Sequence, residues 1–151
     1  MAKTKIKIGF AGTPKIAFDI FSEIFSSKDI AIEFVLTQPD KLSGRGLVTS
    51  KSLFNNIESL TVMQPESLNE EELIKKIEAF NIDLLVVVAY GKILPSWLLN
   101  MPKFGCLNIH FSNLPKYRGA APIQRAIESG EKETGITFMR LTEGLDEGPI
   151  Y

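Results

Sequence analysis

The one histidine of the chain, His110, lies two residues after Asn108 in the run "GCLNIHFSNLP" (105–115). Side chains two apart on a strand share a face, and Ile109 between them turns the other way. An amide and an imidazole projecting together match the two needs of acyl transfer. One donates to a developing oxyanion, and the other takes a proton from the attacking nucleophile. A third group stands in "EGLDEG" (143–148), where Asp146 lies between Gly144 and Gly148 with Glu143 and Glu147 nearby. If that loop folds over the end of the His110 strand, one of its carboxylates orients the ring, as in acyl-transfer triads. A plainer arrangement uses the same residues, with Asn108 capping loop amides, His110 filling a satisfied structural place and Asp146 serving a turn. Spacing alone leaves both open.

The flanking segments add to the first arrangement. Ser112 through Pro115 reads as a short rigid loop, because Pro115 fixes its own φ and holds Leu114 extended. Such a loop can present backbone groups to a flat heterocycle. Lys116 and Arg118 follow, and Gly119 permits the turn into a helix. The loop "TQPDKLSGRGLVTSK" (37–51) sets Lys41, Arg45 and Lys51 against one acid, Asp40, on a chain of net charge −1. Phosphate contacts need local positive charge of this kind, although a solvated surface loop has the same composition. The first turn, "GFAGTP", lacks the G-x-G-x-x-G spacing of a dinucleotide site. Gly9 and Gly12 are therefore assigned to a tight strand-to-helix turn.

What must position these groups is an alternation of strands and helices. Apolar patterning predicts strands at 4–10, 30–36, 82–89, 104–110 and 134–141, with a short one in "TVMQP". Helices are expected from Pro14 to Phe25, over 53–60, over 69–80 with Asn69 as N-cap, briefly after "YGKILP", and over 120–130. This order predicts an α/β, doubly wound, mostly parallel sheet with right-handed crossovers. Ligands in such sheets bind outside the carboxyl ends of the strands, which picks out Tyr90–Gly91 and Asn108–His110.

With 151 residues, 44% of them hydrophobic, the chain suits one domain with no internal boundary. Its single Cys106 excludes an internal disulfide and a cysteine-rich metal site, and no metal is expected. No apolar stretch is long enough to cross a bilayer, and the N-terminus is too short and mixed for a signal peptide. The expectation is a cytoplasmic monomer with no membrane partner. The end, "GITFMRLTEGLDEGPIY", stops in a β-like stretch without a closing helix, so the sheet is expected to be incomplete at the C-terminus.

Read in order, "AGTP", "TQPD…GRG", "VVVAYGKILP", "LNIHFSNLPKYRGAAPIQRAI" and "ETGITFMRLTEGLDEG" closely resemble the N-terminal catalytic domain of the methionyl-tRNA formyltransferase family across residues 1–151. The resemblance implies a Rossmann-like formyltransferase fold. It also implies transfer of a formyl group from 10-formyltetrahydrofolate to the α-amino group of methionyl-initiator tRNA in translation initiation. By the same resemblance, Asn108, His110 and Asp146 are catalytic. Folate would be held by Ser112, Asn113, Leu114 and Pro115 together with Tyr90, Gly91, Ile93 and Leu94. The family's tRNA-contacting arginine falls on Arg45, and Lys41 shares its loop. The chain departs from the family at Phe111, usually Gly, at Asn113, usually Leu, and at Leu47 and Val48, where lysine is usual; folate affinity or loop shape is expected to differ accordingly. The family's C-terminal barrel domain has no counterpart in these residues. Two alternatives share the Asn-x-His pattern or the fold: a formyltransferase acting on glycinamide ribonucleotide or an amino-sugar nucleotide, and a non-catalytic folate-binding fragment.

Overall fold

The computed structural model describes residues 5–43, 48–50 and 52–151. Its elements are β1 (Ile6–Gly12), α1 (Lys15–Phe25), β2 (Ile30–Leu36), β3 (Lys41–Ser43), β4 (Val48–Ser50), a 3-10 turn (Leu53–Asn56), β5 (Thr61–Met63), α2 (Glu71–Ala79), β6 (Leu84–Val88), α3 (Ser96–Asn100), β7 (Cys106–His110), α4 (Pro122–Glu128) and β8 (Thr137–Arg140). A strand as apolar as β6 is stable only with both faces covered. Leu85 and Val87 accordingly enter one core with Phe34, Leu36, Ile77 of α2 and Leu98 of α3. Val86 and Val88 enter a second core, with Phe10, Val35, Phe54 and Ala17 and Phe21 of α1. The second is an aromatic cluster: Phe21 and Phe54 meet edge to face at 5.2 Å, and Phe10 and Phe21 at 5.4 Å.

The main sheet among the described residues has six strands in the order β5-β2-β1-β6-β7-β8. Pairings from β5 to β7 are parallel, and β8 joins β7 antiparallel, with Asn108 opposite Met139 and His110 opposite Thr137. The expected mostly parallel α/β sheet is therefore present, with one reversed edge. No helix among the described residues is long and apolar enough to cross a membrane.

Local expectations differ from the structure in four places. Gly9 lies inside β1 and outside the turn, and a Cβ there would come 2.5 Å from Phe34 Cζ, so glycine answers close packing across the sheet. The N-cap of α2 is Glu70 in place of Asn69, and no side chain caps it; Glu70 Oε1 instead accepts from the Ser67 N–H. The helix expected over 53–60 shrinks to the 3-10 turn, since Ile57 is already extended. The loop after β2 contains the antiparallel pair β3–β4, although Arg45 and Lys51 lie outside the described residues.

Burial also sets a pH limit. It pushes the Cys106 thiol from 9.0 up to about 12, against the lowering effect of Arg140, and the Tyr90 phenol from 10.0 up to about 12. Both folded values exceed the unfolded ones, so the stability they contribute is complete below about pH 9 and is lost as pH rises toward about 12. The urea midpoint is expected to fall steadily across that window, and the native thiol to ignore disulfide reagents until the chain unfolds. A midpoint that stays flat would contradict the burial of these groups.

Candidate functional site at the ends of two strands

A cavity of about 500 Å³ opens at the carboxyl ends of β6 and β7. Strand β6 leads into Ala89–Leu94 on one wall, and β7 supplies Asn108 to Phe111. Gly119 to Pro122, entering α4, and Leu141 to Asp146 complete the lining. Alternation along β7 places Asn108 and His110 together, as expected, and both are buried.

His110 is held from two sides. Its Nε2 lies 2.9 Å from the carbonyl oxygen of Tyr117. A carbonyl only accepts, so Nε2 carries the hydrogen and donates. Nδ1 then faces Asp146, with Oδ2 at 3.7 Å, beyond an ordinary hydrogen bond. The same Oδ2 accepts the Gly119 N–H at 2.6 Å, which fixes the carboxylate against the loop entering α4. Loop 143–148 does fold over the strand end, and Asp146 is the acid that reaches the ring, with its side chain only 8% exposed. Glu143 turns to Ser96 Oγ at 2.5 Å, and Glu147 sits 3.9 Å from Arg118.

Of the other expected residues, Tyr90, Gly91, Ile93 and Leu94 line the cavity, and Ile93 is 91% exposed at its rim. The Tyr90 hydroxyl is buried without a hydrogen-bond partner among the described residues. Ser112, Asn113, Leu114 and Pro115 do not line the cavity. Ser112 turns inward, donating from Oγ to the Lys116 carbonyl at 2.6 Å, while its own carbonyl accepts from Thr137 Oγ1 at 2.6 Å. The Leu114 N–H donates to the same Thr137 Oγ1, and Asn113 borders a separate small recess with Lys116, Tyr117 and Glu131. Lys41 donates from Nζ to Gln38 Oε1 at 2.8 Å, and Arg45 lies outside the described residues.

The structure adds residues that spacing did not point to. Tyr117 acts through a backbone carbonyl, which no residue type announces. Gln38 donates from Nε2 to the Tyr90 carbonyl at 2.9 Å, and Thr13 Oγ1 donates to the same oxygen at 2.9 Å. Five described non-glycine residues have positive φ, and three of them, Ala89, Ala121 and Asp146, line the cavity, while a fourth is Tyr117. Each such conformation costs on the order of 1–3 kcal/mol, and strain of this kind gathers at functional sites.

Residues 5–151 match the formyl transferase family. Nearly half the residues are identical to methionyl-tRNA formyltransferases: 48% over 99% of the chain for that of Aromatoleum aromaticum, and 47% over 96% of it for that of Thermotoga neapolitana. The chain spans about half the length of these relatives, 48% and 47% respectively. Among solved structures, phosphoribosylglycinamide formyltransferase from Streptococcus pneumoniae TIGR4 superposes with a TM-score of 0.72 at 23% identity, over 98% of this chain and 79% of that one. A formyltetrahydrofolate deformylase from Pseudomonas syringae pv. tomato reaches 0.73 at 24% identity, over 99% and 50%. The fold is thus one that these formyl-group enzymes also have. The chain belongs to the formyl transferase family.

The wall after β6 depends on one glycine. Gly91 has φ +80°, and a Cβ there would fall 2.2 Å from Gln38 Nε2. Gly91→Ala is expected to displace Gln38 from the Tyr90 carbonyl and to lower stability by about 1–3 kcal/mol. The urea midpoint should drop with an unchanged m-value, and an unmoved midpoint would show that the wall tolerates a side chain there.

Proposed function

We propose that the protein transfers a formyl group from 10-formyltetrahydrofolate to the α-amino group of methionyl-initiator tRNA. The observation that carries this reading is that Asn108, His110 and Asp146 line one cavity, with His110 Nδ1 3.7 Å from Asp146 Oδ2. Identity of 47–48% to methionyl-tRNA formyltransferases along almost the whole chain supports the choice of acceptor.

In this reading the neutral amine attacks the formyl carbon, and the Asn108 side-chain N–H donates to the oxyanion that forms. Nε2 of His110 is committed to the Tyr117 carbonyl, so Nδ1 takes the amine proton beside Asp146. The carboxylate faces the positive charge that the ring then carries. The new C–N bond to the acceptor is in place when the bond to N10 of the donor breaks, and the proton on Nδ1 passes to N10. The cavity wall Tyr90–Leu94 would receive the pterin. Ser112–Pro115 would act from behind that site, shaping the His110 strand end. Lys41 and Arg45 would meet tRNA phosphates, whose contacts are weakened by salt.

The test offers the protein three acceptors with the same donor: initiator methionyl-tRNA, glycinamide ribonucleotide and an amino-sugar nucleotide. Transfer is expected to the first alone. Preference for a small amine would overturn the acceptor, and absence of transfer to all three would leave a binding protein. Asn108→Ala is expected to lower kcat by about 10²–10³, worth about 3–4 kcal/mol of barrier, with the donor KM unchanged. Near-normal turnover would remove the amide from the oxyanion.

A further inference from the structure

The Tyr117 carbonyl reaches His110 only because Tyr117 holds a left-handed backbone, φ +55°, that a bulky aromatic residue rarely adopts. Something must keep that residue from relaxing. Its phenol donates to Glu131 Oε1 at 3.1 Å, and the Nζ of the preceding Lys116 donates to the same oxygen at 3.0 Å. Two consecutive side chains are thus gathered on one carboxylate atom. These donors, Lys116 first and Tyr117 next, hold the Glu131 carboxyl below the ordinary carboxylate range.

Glu131 is itself placed by backbone geometry. Helix α4 ends at Glu128 with Ser129 as its C-cap, and Gly130 follows with φ +70°. The Gly130 N–H donates to the Ile127 carbonyl at 2.9 Å and the Glu131 N–H to the Ala126 carbonyl at 3.0 Å. This is a Schellman cap, in which the two residues after the helix close back on its last turn. Ala126 is buried, so the cap is seated on the protein interior. A rigid helix end therefore presents a carboxylate to Lys116 and Tyr117, and the Tyr117 backbone presents a carbonyl to the imidazole.

From this chain of contacts we infer that Glu131 is a positioning residue for His110, acting through Tyr117 to keep Nε2 engaged and Nδ1 turned to Asp146. Its catalytic consequence rests on the formyl-transfer reading, but its effect on the ring does not. Removing the carboxylate frees Tyr117 to leave the left-handed region, and the carbonyl then swings away from Nε2. The imidazole loses the contact that selects which nitrogen carries hydrogen.

The test is long-range ¹H–¹⁵N NMR of the ring, assigned against His110→Gln, together with kinetics of the full chain. The native ring is expected to show a protonated, hydrogen-bonded Nε2. Glu131→Ala and Tyr117→Phe should each move the ring nitrogens toward a tautomer mixture and lower kcat by up to about 100-fold, with the donor KM unchanged. The double variant should be no worse than either single one, because both cut the same connection. Glu131→Gln, which keeps an acceptor oxygen at the same reach, should restore the native ring signals. Native-like nitrogen shifts in Glu131→Ala, or additive losses in the double variant, would overturn the proposal. A wild-type protein that transfers no formyl group while Glu131→Ala still shifts the ring would sink the functional reading and leave this positioning role standing.

Discussion

An imidazole has two nitrogens, and this fold commits one of them before any ligand arrives. With Nε2 donating to the Tyr117 carbonyl, the ring nitrogen left facing the side of Asp146 is Nδ1. The commitment depends on two loops meeting at one strand end, the one after β7 and the one after β8. The β7 register puts His110 opposite Thr137, and Thr137 Oγ1 donates to the Ser112 carbonyl, folding the loop back at once. Ser112 in turn holds the Lys116 carbonyl, and Gly119 holds Asp146. The ring is thereby hydrogen-bonded to the loop after β7 through Tyr117, and it faces Asp146, which Gly119 fixes in place.

The parts of this arrangement that were legible in the sequence are those set by short-range periodicity. Two-residue alternation placed Asn108 and His110 on one face, and the unbroken apolar run of β6 announced a strand covered on both sides. The convergence of loop 143–148 on His110 could be framed as a condition, but which of its three acids reaches the ring is decided by tertiary packing. Gly9 was legible as a glycine that must be there and illegible in its reason, because the Phe34 ring that excludes a Cβ comes from the neighbouring strand. Asn69 is a good capping residue by type, yet the chain enters α2 one residue later. The Ser112–Pro115 loop reads as stiff, and the inward turn of Ser112 follows from Thr137, a residue 25 positions away.

Stability and chemistry are drawn from different parts of the fold. Phe10, Phe21 and Phe54 on one face, and Leu36, Leu85 and Leu98 on the other, are essentially without solvent contact. Burial of side chains of this size contributes roughly 1.5–3 kcal/mol each, whereas Ala89, Tyr117, Ala121 and Asp146 in left-handed backbone each cost on the order of 1–3 kcal/mol. Ala89 directly follows β6, Tyr117 and Asp146 lie within loops, and Ala121 is the N-cap of α4. Relaxing any one of them would cost the core little and would displace a wall of the cavity or the partner of His110.

The segment that follows β2 at Gln38 is hydrogen-bonded to the start of the loop after β6. The Tyr90 carbonyl takes two donors, Gln38 Nε2 and Thr13 Oγ1, and Thr13 Oγ1 also lies 3.3 Å from the Gln38 N–H that donates to it. Gln38 is further fixed by Gln64, which donates to its carbonyl, and by Lys41, which donates to its side-chain oxygen. Gly91 offers no Cβ to hold this amide off. A displacement of the chain at Gln38–Lys41 must therefore either break these bonds or carry Tyr90 with it, and Tyr90 begins the wall that runs to Leu94. Gln38 and Thr13 thus join the segment after β2 to the start of the cavity wall, and both polar atoms of the Gln38 side chain have partners.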